Sequence, residues 1–141
     1  MDAGLIRKRL RTEIDAARRA SAERRERSTN AARAYDTFLE NIAVPAFRMM
    51  ANVLRAEGVP FEAQTPGTAV RLVSDRSRDD VIELSLDTAT DPPQPTFVTT
   101  RTRGGRLLRT ERPLKERAAI DKLTEDDVVE GLIEELQPWL G

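Results

Sequence analysis

The sequence contains neither cysteine nor histidine. Thiolate nucleophiles, imidazole general bases, thiol redox chemistry and structural zinc sites each need one of those residues, and all are excluded. Lysine is nearly missing as well, with Lys8, Lys115 and Lys122 as its whole complement. What chemistry remains is carboxylate work or an unusual Ser–Lys pair. Aromatic residues make up only 4% of the chain, so any core must be mostly aliphatic.

Long apolar runs are also absent. Nothing approaches the roughly 18 residues of a membrane-spanning helix. The basic start Ile6–Arg11 is not followed by the apolar segment of a signal peptide, so no membrane association and a cytoplasmic location are expected. No glycine pattern suited to cradling phosphate occurs, so no nucleotide cofactor is expected.

Two groups of acids come nearest to a chemical site. Asp75, Asp79, Asp80 and Glu83 are interleaved with Arg76 and Arg78, which neutralise them, and their spacing fits no calcium loop. Asp87 and Asp91 have the residue types of a two-carboxylate hydrolase but nothing in the sequence makes them converge. No metal, cofactor or catalytic residue is assigned, and a non-enzymatic protein is expected.

At 141 residues the chain suits one domain that buries about two-thirds of its unfolded surface. Its net charge of -1 conceals a polarity: residues 1–33 hold ten basic and five acidic groups, whereas residues 119–141 hold one basic and seven acidic. The two ends are therefore suited to attract each other, within one chain or between two.

Between Leu5 and Val44 there is no glycine or proline, and Ala, Arg and Glu dominate, which predicts one helix from Asp2 to about Ala43. Arg9 with Glu13, Arg11 with Asp15, Asp15 with Arg19 and Glu23 with Arg27 stand at ion-pair spacing on it. A heptad ladder passes through Leu10, Ile14, Ala17, Ser21, Arg24, Ser28, Ala31, Tyr35, Phe38 and Ile42. From Asp15 to Ala34 no large apolar side chain occurs, so this part cannot anchor itself to a core. Three readings are open: a solvated helix, a close helix pairing along an Ala/Ser seam, or order that waits for a partner. Leu10, Ile14, Ala17, Ser21, Ser28 and Ala31 are the candidate protein-interaction surface.

Tyr35, Phe38, Leu39, Ile42, Phe47, Met50, Ala51 and Leu54 then form a dense stripe that reads as core. Pro45 predicts a kink or a helix break near Val44, and Gly58 a helix C-terminus. Phe61–Gln64, Thr68–Ser74 and Val81–Leu86 read as strands. Residues 75–80 make a solvated turn, and residues 87–95, rich in Asp and Pro, an exposed connection.

A second hairpin turns at Gly104 and Gly105. With those two as the turn residues, Arg103 faces Arg106, Arg101 faces Leu108, Thr99 faces Thr110 and Phe97 faces Arg112. One face of the hairpin then carries Arg101, Arg103, Arg106 and Arg112 and no acid. Such a face suits phosphate or carboxylate, and it also suits an edge that is charged simply to prevent aggregation. Leu114–Leu123 fits a short helix or an extended connection. Thr124 is an N-cap for a final helix that Pro138 is expected to end, with Trp139 following as an apolar plug.

The element order predicts an α+β fold: a long N-terminal helix kinked or broken near Pro45, an antiparallel meander of four or five strands, and a C-terminal helix packed on one face. Residues 1–33 form a charged helical extension and residues 34–141 the compact domain. The expected function is protein–protein interaction of an adaptor or chaperone-like kind, with a protein partner or with itself as a homo-oligomer. The alternative is a nucleic-acid-binding accessory protein using the Arg-rich hairpin, joined by Arg7, Lys8, Arg9 and Arg11.

Overall fold

The computed structural model describes residues 2–141. Helix α1 spans Ala3–Phe38 and is capped by Asp2, whose carboxylate accepts a hydrogen bond from the Gly4 amide at 3.0 Å. The break expected near Pro45 takes the form of a wider, π-helical turn at Leu39–Ala43, after which α2 runs over Val44–Ala56 with Pro45 in its first turn. Proline has no N–H to donate and crowds the preceding turn, and a widened turn relieves both problems without ending the helical path. Gly58, at φ +80°, reverses the chain after α2, and Val59 N–H closes the cap on the Leu54 carbonyl at 2.8 Å.

Five strands follow: β1 Phe61–Gln64, β2 Val70–Ser74, β3 Val81–Asp87, β4 Gln94–Arg103 and β5 Arg106–Pro113. They form one antiparallel meander in the order β1-β2-β3-β4-β5. Residues 114–123 resolve as an irregular connection with a single 3-10 turn at Ile120–Lys122, and α3 spans Glu125–Leu140.

The core lies where the three helices cover one face of the sheet. Alternation brings Phe61, Val70, Leu72, Ile82, Leu84 and Phe97 to that face, against Tyr35, Phe38 and Phe47 of the first two helices and Val128, Leu132 and Leu136 of α3. Each such side chain contributes about 1.5–3 kcal/mol when fully buried. The Tyr35 hydroxyl donates to the Leu84 carbonyl at 3.3 Å, and burial pushes its pKa up. Gly131 of α3 faces the Phe97 ring so closely that a Cβ there would stand 2.6 Å from Phe97 Cε2.

Two expectations are corrected. The helix does not end at Pro138 but runs through it to Leu140. In the last turn the proline removes only one amide donor, and Trp139 fixes the turn: its ring meets Phe61 edge to face at 5.5 Å, and its Nε1 donates to Asp80 Oδ2 at 3.1 Å. The four ion pairs expected along α1 also do not form among the described residues. Arg27 instead reaches out of the helix to Asp91.

Thr124 caps α3 in a reciprocal box: its Oγ1 accepts from the Asp127 amide at 3.2 Å, and Asp127 Oδ2 accepts from the Thr124 amide at 2.9 Å. The latter bond is the largest cause holding the Asp127 carboxyl below the usual carboxylate range, with Lys115 at 3.4 Å adding to it. A folded-state pKa below the unfolded one means stabilisation that is present above the unfolded value of 3.8 and lost as pH falls through the folded value. Asp127→Ala is therefore expected to cost about 1 kcal/mol at neutral pH. That difference should shrink as pH falls from about 5 to about 2, as read by urea unfolding.

Candidate interaction surfaces

Helix α1 is 36 residues long, about 54 Å at 1.5 Å per residue. Apart from half-buried Ala20 and Ser21, every residue from Asp2 to Asn30 is exposed, and Ala31 is the first to be buried. What ties the helix to the domain before that point is a bidentate pair: Arg27 Nε and Nη2 donate to the two Asp91 oxygens at 2.9 and 2.8 Å. The pair sits on the surface, and each partner reinforces the other's charge, raising the pKa of Arg27 and lowering that of Asp91.

The part of α1 beyond this clamp carries Leu5, Ile6, Leu10 and Ile14, between 43% and 64% exposed. At about 100° per residue, Ile6, Leu10 and Ala17 fall on the face of the helix that carries Ala31, Tyr35 and Phe38 farther on, with Ile14 at its margin, about 60° from Tyr35. The same face is thus buried by the domain at one end and bare at the other. Of the expected interaction surface, Leu10, Ile14, Ala17 and Ser28 are exposed, Ser21 is half-buried, and Ala31 belongs to the domain's own core. Ile6, outside that set, joins it by its place four residues before Leu10, which is the sequence signal for it; Leu5 lies off the row.

The second hairpin forms in the register its glycine turn predicts, with Arg103 opposite Arg106, Arg101 opposite Leu108 and Phe97 opposite Arg112. Gly104 and Gly105 at the tip take φ of +58° and +76°. Strand β3 accompanies β4 only as far as the pair Val81 and Thr100, so residues 101–108 stand beyond it as a two-stranded ribbon. The four arginines do share one face, which is the helix-covered side of the sheet. Arg112 is consequently met by α3, with Glu134 at 3.1 Å and Glu135 at 3.5 Å. Burial pushes the Glu135 carboxyl up, and Arg112 acts against that shift. The ribbon itself presents Arg101, Arg103 and Arg106 beside exposed Leu107 and Leu108. Among the described residues the ionic partners of α3 are thus Arg112 and Lys115, and not the basic arm.

All but Asp79 of the acids singled out as chemical candidates are dispersed into structural contacts. Asp75 pairs with Arg55 at 3.1 Å and Glu83 with Arg71 at 2.8 Å. Asp80 accepts from the Thr102 amide and from Trp139, which joins the β2–β3 turn to β4 and α3; this turn is held, not merely solvated. Asp91 is engaged by Arg27, and Asp87 accepts from the Ala89 amide within its own turn. Among the described residues no group of three or more acids is placed to hold a metal ion, and no helix is long and apolar enough to cross a membrane.

The fold and its surfaces define an α+β protein with a projecting helical arm. Compared with protein-family models, with curated proteins and with solved structures, the chain matches none.

Proposed function

We propose that this chain is a non-enzymatic interaction module, adaptor or chaperone-like in kind, that self-associates through the distal part of α1. The observation that carries this reading is the bare row Ile6, Leu10 and Ile14, continuous with the face that the domain buries at Ala31, Tyr35 and Phe38. An isolated helix with few tertiary contacts is marginal in water, and a second helix laid on the row supplies the packing that the domain does not reach. The charge of the arm, high and mixed in sign, keeps the row narrow and suits it to a helix rather than to a broad apolar surface. Sedimentation velocity of the full chain over a dilution series tests the reading. The mass should rise toward twice the 15.8 kDa of one chain as concentration increases. A monomer at every concentration would overturn it.

The projecting ribbon supports a second reading, contact with nucleic acid through Arg101, Arg103 and Arg106, since a two-stranded ribbon fits the major groove and arginine engages phosphate or guanine. Binding to mixed DNA and RNA that is measurable at about 50 mM salt and falls steeply with added salt is its expected signature. No binding at that salt removes it.

A further inference from the structure

We infer that the second copy lies antiparallel to the first. Residues 3–21 of the two arms overlap about a two-fold centre at Thr12, and the two domains sit at opposite ends of one helical rod. This rests on the self-association reading above and adds to it the direction, register and reach of the contact.

Direction follows from where the bare face leads. Ile6 and Leu10, with Ile14 at the margin, look the same way as Ala31, Tyr35 and Phe38, which the chain's own sheet and helices cover. In a parallel pair each helix would continue along its partner toward residue 31, and both domains would demand the seam side of the same stretch of rod. In an antiparallel pair centred on Thr12, the second copy's helix begins opposite Ser21. That is six residues, about 9 Å, short of the Arg27–Asp91 clamp.

The seam residues point the same way. Continued one step back from Leu10, the heptad ladder reaches Arg7, so a parallel, in-register pairing sets Arg7 against Arg7 and Arg24 against Arg24, like charges facing each other in the seam. The antiparallel register sets Leu10 against Ile14 of the second copy, sets Arg7 against its Ala17, and leaves Arg24 outside the overlap. Charge along the arm agrees in part: Arg9 lies level with Asp15 and Arg11 with Glu13 of the other copy, and Arg7 and Lys8 lie level with its Ala17 and Ala16. At this spacing, within a Debye length, the difference is felt.

Because the chain has no cysteine, single thiols can be placed at will. Thr12→Cys and Asn30→Cys, both exposed and on the helix face away from the seam, are made separately in the full chain. Each is spin-labelled and measured by double electron–electron resonance at about 200 µM, since a seam this short belongs to the weak, transient class. The expected result is a distance below about 25 Å at position 12 and about 54 Å at position 30, from eighteen residues of rise on each side of the centre. Short distances at both positions would mean a parallel pair, overturning the inference while self-association stands. Dipolar coupling at neither position would overturn the inference together with the reading beneath it.

Discussion

Leu10→Asp combined with Ile14→Asp is expected to leave a monomer at concentrations where the unaltered chain associates, weakening association by at least about 100-fold, or roughly 2.8 kcal/mol. Both side chains are about half exposed in the single chain, so the substitutions remove no core contact. Surface changes of that kind shift folding stability by no more than about 0.5 kcal/mol. In the associated state the same positions form the middle of the seam, and four carboxylates would there be desolvated without a partner, a cost of several kcal/mol. Association and stability should therefore separate cleanly: sedimentation velocity changes, whereas thermal unfolding read at a dilution where both proteins are monomeric does not. Leu107→Asp, an equally exposed leucine on the ribbon, is the control and should leave association intact.

The largest expected effect on the fold itself is at Gly131. A Cβ there would stand 2.6 Å and 3.0 Å from two carbons of the Phe97 ring and 3.2 Å from Leu114 Cδ1. The ring is almost fully buried between the sheet and α3, so it has nowhere to move. Gly131→Leu forces α3 away from β4 and should cost about 3 kcal/mol or more, although leucine is the better helix former by nearly 1 kcal/mol. Phe97→Ala alone opens a cavity and should cost about 3–5 kcal/mol. If the close approach is the reason for the glycine, the double variant must be less destabilised than the sum of the two, a coupling that urea unfolding of all four proteins measures directly. Additive costs would contradict it.

What the sequence made legible was carried by short-range signals. The reach of α1 followed from the absence of glycine and proline after Gly4, the end of α2 from Gly58, and the start of α3 from Thr124 followed by three acids. The hairpin register followed from two adjacent glycines, and with it the sharing of one face by Arg101, Arg103, Arg106 and Arg112. The fold class followed from the order of those elements. What stayed hidden depends on residues brought together from far apart. Arg112 is neutralised by Glu134 and Glu135 only because α3 lies over the face that the hairpin continues. Pro138 is carried inside a helix because Trp139 is fixed by Phe61 and Asp80, residues of β1 and of a distant turn. Asp91 looked like half of a carboxylate pair, and its partner is an arginine 64 positions earlier. Gly131 gave no sign at all, since a glycine inside a helix reads as a weak point until the ring opposite it is seen.

The measurement that goes most directly to the role of the arm is amide hydrogen exchange on the full chain at two protein concentrations, about 5 and about 200 µM, spanning the weak-association range. Alone, the distal helix has little packing to slow the opening of its hydrogen bonds, and its amides should exchange fast. The account predicts that protection over residues 3–21 rises with concentration while the sheet and α3 remain unchanged. Exchange in that segment that is the same at both concentrations, or concentration-dependent protection in the β4–β5 ribbon instead, would contradict it.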